Sequence, residues 1–309
     1  MNKATIGVIW AISFVLLESI QFVYFGGLFQ RMSSFLFGFL MFGVTCIVFI
    51  GWTAWTRPNE LRIAFANPKT LLAVNISATL AWAAYLTSVQ LIEPAIAYTI
   101  GAGAMPLTAC LAHKFGAKGG TALRNNMEAL GVCLLLAGMI YLSVATIGGW
   151  SGFVRGGTPV AIAGICFALA DGALFTLMLI YCQRLDEAGV GPASVFGLRF
   201  PLYVLTAGCF VFAGVGARDP LPIAEISLLV GIGLLLTIPP LYALQKAVAS
   251  ISTLTIGALT ALGPFVIFAL QMVEGRVSYS AVTLAGLFVY FVGALLTALG
   301  AVKSTIQAS

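Results

Sequence analysis

Charge is what this chain has least of. Of its 309 residues, Asp, Glu, Lys and Arg make up 8% and apolar residues 61%. A soluble globular domain carries about 25% charged residues. The shortage excludes a water-facing surface of this size, so the exterior must meet lipid. Histidine is nearly absent as well. His113 stands alone, with no clustered Cys or carboxylate, which leaves no metal site and no basis for a Ser-His dyad. There is no GxxxxGK[ST], hence no P-loop and no ATPase. Only one Asp, Asp171, falls inside an apolar stretch, which excludes a paired-Asp membrane protease. No TVGYG-like filter argues for a potassium channel. Basic runs are missing too: the net charge of +5 is scattered over loops, and nucleic acid is not an expected partner.

The six cysteines (Cys46, Cys110, Cys133, Cys166, Cys182 and Cys209) form no CxxC pair. They read as small apolar filler in helices, not as disulfides or metal ligands. No cofactor is expected.

What is present is a series of apolar runs. A bilayer core of about 30 Å needs roughly 20 apolar helical residues. Ten stretches meet this: 5–25, 33–55, 70–91, 94–111, 127–146, 160–183, 193–213, 227–248, 253–272 and 280–301. The first contains Glu18 and lacks a small-residue cleavage site, so it reads as an uncleaved span. Helix is the default because a lone strand would leave its peptide groups unpaired in hydrocarbon. With the N-terminus inside, the inner loops and termini carry Lys3, Arg57, Arg62, Lys69, Lys114, Lys118, Arg124, Arg184, Lys246 and Lys303. The outer loops carry Arg31, Arg155, Arg218 and Arg276. This bias puts both termini in the cytoplasm.

The two halves match each other in order. Gly7, Trp10 and Ala11 match Gly164, Phe167 and Ala168; Phe37-Gly38 matches Phe196-Gly197; Tyr85 matches Tyr242. Tyr98 matches Thr255, Pro106 matches Pro264, and Gly131 and Gly138 match Gly286 and Gly293. Each half holds five spans, an odd number, so the halves cross the membrane in opposite senses. The expected domains are residues 1–150 and 151–309, an all-α pair of inverted five-helix repeats. Such repeats are a recurrent transporter design, with the solute near the midplane.

The stretch from Tyr85 to Pro106, with Glu93-Pro94-Ala95 and Met105-Pro106-Leu107, resembles the third and fourth helices of the drug/metabolite transporter superfamily. The stretch from Tyr242 to Pro264, with Gly263-Pro264, resembles their counterparts in the second half. The resemblance covers essentially the whole chain. It is closest to the EamA-like ten-helix exporters, and among them to the YddG-type exporters of aromatic and other neutral amino acids. It implies ten helices, cytoplasmic termini, a bacterial inner membrane and export without ATP hydrolysis. It also implies a solute route near the third, fourth, sixth and ninth helices.

Ionisable groups inside spans are costly and usually functional. Glu18, Asp171 and Arg199 qualify. Glu18 is expected toward the outer third of the first span, from which it can snorkel outward. Asp171 and Arg199 are expected at similar depths. They can form a structural ion pair, or serve as counter-charges for a zwitterion or as a proton-linked carboxylate. Asn75, Thr79, Trp82 and Tyr85 share a helix face that suits an amphipathic solute, though ordinary helix packing explains it about as well. Trp10, Ser13, Gln21 and Tyr24 mark one face of the first helix. Tyr98, Thr253, Thr255 and Thr260 extend the candidate lining, as does Phe167, the counterpart of Trp10. Tyr242 is expected to face the opposite mouth of the cavity from Tyr85. Gly101, Gly103 and Pro106, Pro239-Pro240, and Gly257, Gly263 and Pro264 are expected to interrupt the fourth, eighth and ninth helices as hinges.

The expected function is a secondary carrier that exports small amphipathic metabolites by alternating access, with aromatic and other neutral amino acids favoured. Proton antiport through Glu18 or Asp171 and uncoupled flow both remain open. Its partners are a small solute and the lipid bilayer, with a monomer as the working unit. The rivals are a carrier of a purine, drug or nucleotide-sugar and, further off, a membrane-embedded enzyme.

Overall fold

In the computed structural model, residues 3–116, 120, 122–151, 156–216, 218–219, 221–275 and 280–308 are described. Lys118, Arg155 and Arg276 lie outside them, as do the side chains of Lys3, Thr253 and Lys303. Helix makes up 86% of the described residues, with no strand among them. The helices are α1 (Lys3–Arg31), α2 (Ser34–Thr56), α3 (Pro58–Ala66), α4 (Pro68–Leu91), α5 (Pro94–Lys114), α6 (Asn126–Ile147), α7 (Gly157–Glu187), α8 (Pro192–Leu198), α9 (Pro201–Phe212), α10 (Ile223–Val248), α11 (Thr253–Thr260), α12 (Gly263–Glu274) and α13 (Ala281–Ala308).

Counting α8 and α9 as one broken span, nine segments among the described residues are long and apolar enough to cross a membrane. Their outward faces are apolar. Ile9, Ile12, Leu16 and Ile20 repeat along one exposed stripe of α1, and Leu235 and Phe288 are exposed on α10 and α13. Polar residues such as Gln21, Arg199 and Gln245 are buried within. That distribution suits a bundle whose solvent is lipid.

The chain punctuates its helices with familiar devices. Proline opens α3, α4, α5, α8 and α9, where a missing N–H costs no helical bond. Asn125 caps α6 by accepting from the Glu128 N–H at 2.9 Å, and Glu128 accepts from the Arg124 N–H at 2.6 Å. Gly275 ends α12 at φ +72°, a left-handed cap that glycine adopts without strain.

α1 packs on α10 and α12, α4 on α7, α5 on α7, α6 on α13, and α2 on α8 and α9. Gly7, at the start of α1, lies against Ser250 and Ile251; Gly300, near the end of α13, lies against Asn125 and Glu128. The alternating run of the helices puts both contacts at the same end of the bundle. Ion pairs sit at the ends. Arg31 joins Glu225 at one end, and Arg57 lies 3.3 Å from Glu60 at the other.

Several expectations change. α1 runs well past residue 25, so Glu18 sits at its middle and not in an outer third. α3 was not expected at all. Its charged residues, including Glu60 and Arg62, masked a short helix that lies between spans. α5 continues through Pro106 and α10 through Pro239 and Pro240. A proline deletes one ladder bond, and the bonds on either side keep the helix intact where no water competes. The predicted seventh and ninth spans are instead each broken in two. Pro201 starts α9 after a gap at Arg199-Phe200, and Pro264 lies in the first turn of α12.

Candidate functional site

One cavity lies at the centre of the bundle. Its wall is made by Phe14, Glu18, Gln21 and Phe22 of α1, Trp82 and Tyr85 of α4, and Tyr98, Gly101, Ala102 and Met105 of α5. Asp171, Gly172 and Phe175 of α7 and Thr260 of α11 complete it. With its mouth, it holds about 520 Å³ of space not occupied by atoms. The third, fourth, sixth and ninth predicted spans all contribute, and the first joins them.

Glu18 and Asp171 bring the charge. Each is near the middle of its helix, and both face the cavity. Tyr98 donates to Glu18 Oε2 at 2.9 Å. Asp171 has no hydrogen bond or ion pair among the described residues; its Oδ2 sits 3.1 Å from where a β-carbon on Gly101 would stand. No Lys, Arg or His lines the cavity among the described residues.

Backbone contact shapes this side of the cavity. A β-carbon on Gly172 would lie 1.9 Å from the Gly101 carbonyl oxygen, so α5 and α7 touch main chain to main chain. Only glycine permits that approach, and it sets Asp171 next to the α5 surface. On the α12 side, a β-carbon on Gly263 would lie 2.4 Å from the Tyr98 ring.

The aromatic wall is continuous. Phe22 packs tilted against Tyr85 at 4.6 Å and edge-on against Tyr98 at 4.7 Å between centroids, and Trp82 meets Tyr85 edge-on at 5.2 Å. Trp82 and Tyr85 are each 5% exposed. Their Nε1 and Oη atoms have no hydrogen-bond partner among the described residues.

The remaining predicted site residues lie elsewhere. Asp171 and Arg199 form no ion pair. Arg199 is fully buried at the break between α8 and α9, with Phe196 and Phe200 rings at 4.9 and 4.8 Å and the Gln245 Oε1 acceptor at 3.3 Å. The sequence puts the two charges at similar depth, but Arg199 meets Cys182 of α7, about three helical turns along that helix from Asp171. Asn75 is fully engaged in repairing the same break. Its Nδ2 donates to Leu198 O at 2.8 Å, and its Oδ1 accepts from the Leu202 N–H at 3.2 Å. The side chain thus takes over the ladder bond that the break interrupts. Thr79 is buried but does not line the cavity.

Trp10 and Tyr242 meet edge-on at 6.4 Å, with Lys246 5.4 Å above the Tyr242 ring, away from the cavity wall. Tyr24 is likewise absent from the wall. Phe167, 41% exposed, points outward; the likeness to Trp10 placed it on the candidate face, but the side of α7 that carries it faces lipid. Pro106 packs near Gly257, whose β-carbon would meet its ring at 3.4 Å, so α5 and α11 touch beside the cavity.

The sequence reading missed Phe14, Phe22 and Phe175 as lining. A usable signal was there. Phe14, Gln21 and Phe22 flank Glu18 by three or four residues, and Phe175 follows Asp171 by four. Residues at those spacings share a helix face with the buried acid.

No family model matches the chain, and no curated protein matches it. Chains of solved structures do match. One, a crystal structure of a protein, aligns with a TM-score of 0.66 over 96% of this chain and 96% of that chain, at 19% identity. At that identity the likeness shows the fold alone. The chain is therefore an all-helical bundle of long apolar helices, sharing its fold with a solved protein across nearly its whole length.

Proposed function

We propose that this chain is a secondary carrier of the drug/metabolite transporter superfamily, of the EamA-like branch, that moves small amphipathic metabolites bearing an amino group. Aromatic and other neutral amino acids are among them. The observation that carries this reading is the central cavity. Two carboxyl groups and unpartnered aromatic polar atoms face one space midway along helices whose outer surfaces are apolar. Intramembrane carboxyls that line such a space mark a solute or proton route, and a concave, mostly apolar pocket with a few polar groups suits a small organic ligand.

The packing supports an inverted repeat. α11 and α12 together supply the ninth span, broken at its middle, and bring the total among the described residues to ten. Gly7 of α1 lies against Ser250 and Ile251, and its counterpart Gly164 of α7 lies against Leu91 and Ile92. Gly131 meets Thr297 while Gly286 meets Leu142; Gly138 meets Tyr290 while Gly293 meets Leu135. The shift that carries Gly131 onto Gly286 also carries Leu142 onto Thr297, so the two contacts exchange. The contact of α1 with α10 mirrors that of α7 with α4. A two-fold relation between halves is what lets one cavity open alternately to either side.

On this reading both termini are cytoplasmic, the membrane is a bacterial inner membrane, and transport is export. The cavity wall argues against nucleotide-sugars, which need Lys or Arg for their phosphates. The test is uptake of a panel of labelled amino acids into liposomes holding the purified protein, with and without a pH gradient. Saturable uptake above protein-free liposomes supports the proposal; stimulation by the gradient adds proton coupling. Uptake equal to protein-free liposomes for the whole panel, from folded protein, rejects it.

A further inference from the structure

We infer that the cavity recognises the ammonium end of its solute and has no site for a carboxylate, so that aromatic amines without a carboxylate bind more tightly than the matching amino acids. This rests on the carrier reading for its physiological meaning, but the binding claim stands on the cavity itself.

A zwitterion needs partners for both charges. For the positive end the wall supplies Glu18 and Asp171, from α1 and α7, facing the same space. For the negative end it supplies no cation among the described residues. Arg199 is held by Phe196, Phe200 and Gln245, and Lys246 lies over Tyr242; neither side chain reaches the wall. Transferring a charge out of water without a partner is strongly unfavourable. An amino-acid carboxylate brought between these two acids would meet that cost together with repulsion.

The remaining wall suits a cation. Phe14, Phe22, Trp82, Tyr85, Tyr98 and Phe175 surround the space, and aromatic faces attract ammonium groups. Tyr85 and Trp82 are at least nine-tenths buried, and their Oη and Nε1 have no partner among the described residues. The Tyr85 oxygen can accept from an ammonium, whereas Tyr98 is already committed to Glu18. Two neutral donors alone do not offset two acids facing the same ligand.

The experiment is equilibrium binding of labelled phenethylamine to the purified full-length protein in detergent, competed by unlabelled phenethylamine, phenylalanine and 3-phenylpropionate. These ligands share one ring and differ only in charge. The expected order is phenethylamine strongest, phenylalanine weaker by about tenfold or more, and 3-phenylpropionate without effect. Glu18→Gln and Asp171→Asn should each weaken phenethylamine by about tenfold or more. Competition by phenylalanine or 3-phenylpropionate equal to that by phenethylamine, or no saturable amine binding, overturns the inference. So does unchanged amine binding in both variants at wild-type thermal stability. If the variants fail to fold, the order of the three ligands on the native protein decides alone. Exchange across liposomes from the same preparation separates the two ideas. Amine binding without exchange sinks the carrier reading and leaves this inference standing. Exchange of phenylalanine without amine preference does the reverse.

Discussion

Tyr98 donates its phenolic hydrogen to Glu18 at 2.9 Å, and the bond ties the start of α5 to the middle of α1 in the wall of the central cavity. The ring can occupy that place because Gly263 has no β-carbon to exclude it. Tyr98→Phe should keep the fold and lose the bond. A hydrogen bond contributes about 0.5–1.5 kcal/mol net, so solute affinity should fall by up to about tenfold while the unfolding temperature in detergent stays within a few degrees. Gly263→Ala should displace the ring and reproduce the affinity loss. Unaltered affinity in both variants would remove Tyr98 from the site.

The Gly101–Gly172 contact predicts a stability effect. Gly172→Ala places a methyl 1.9 Å from the Gly101 carbonyl oxygen and must push α5 and α7 apart. Overpacking of this kind costs about 1–3 kcal/mol or more. Gly231, on α10, has nothing within 4 Å of the position a β-carbon would take; alanine there should be neutral or stabilising by about 0.5–1 kcal/mol. Thermal unfolding of the two variants side by side checks both signs.

Asn75 predicts a clamp and not a solute ligand. Asn75→Ala removes the donor to Leu198 O and the acceptor from Leu202 N–H at once. Leaving buried backbone groups unpaired costs about 1–3 kcal/mol each. The variant should lose stability without a change in preference among solutes. A shift in solute preference at full stability would contradict the assignment.

The separation of Asp171 from Arg199 predicts additivity. If the two charges were an ion pair, neutralising both would restore what neutralising either one lost. They have different neighbours, so the free-energy effects of Asp171→Asn and Arg199→Gln should add within about 0.5 kcal/mol. Recovery of transport in the double variant would place the pair together after all.

Much of this arrangement could be read from residues alone, and the pattern of successes has a physical basis. Length of apolar run predicts spans because every backbone group in lipid must be satisfied internally. That rule located all the long helices. It does not say where a helix breaks. Pro106, Pro239 and Pro264 look alike in sequence, yet only Pro264 lies at a break. The outcome depends on whether neighbours such as Asn75 or Ser19 take up the released backbone groups. Ser19 Oγ, for example, lies 3.3 Å from Gly263 O. In-span charge singled out Glu18 and Asp171 because charge in lipid demands a reason. It misjudged the partner of Arg199, since residue counts do not fix where a helix break sits along its neighbour: Arg199 meets Cys182 of α7, well along that helix from Asp171. The apolar lining residues Phe14, Phe22 and Phe175 resemble every other phenylalanine until an acid one turn away marks their face.

Counterflow tests the central claim most directly. Liposomes holding the purified protein are loaded with excess unlabelled solute and diluted into a trace of the same labelled solute. A carrier with one alternately exposed cavity accumulates label transiently above equilibrium, and Glu18→Gln abolishes that overshoot. Label that only equilibrates, or that overshoots equally with and without Glu18, would contradict transport through this cavity.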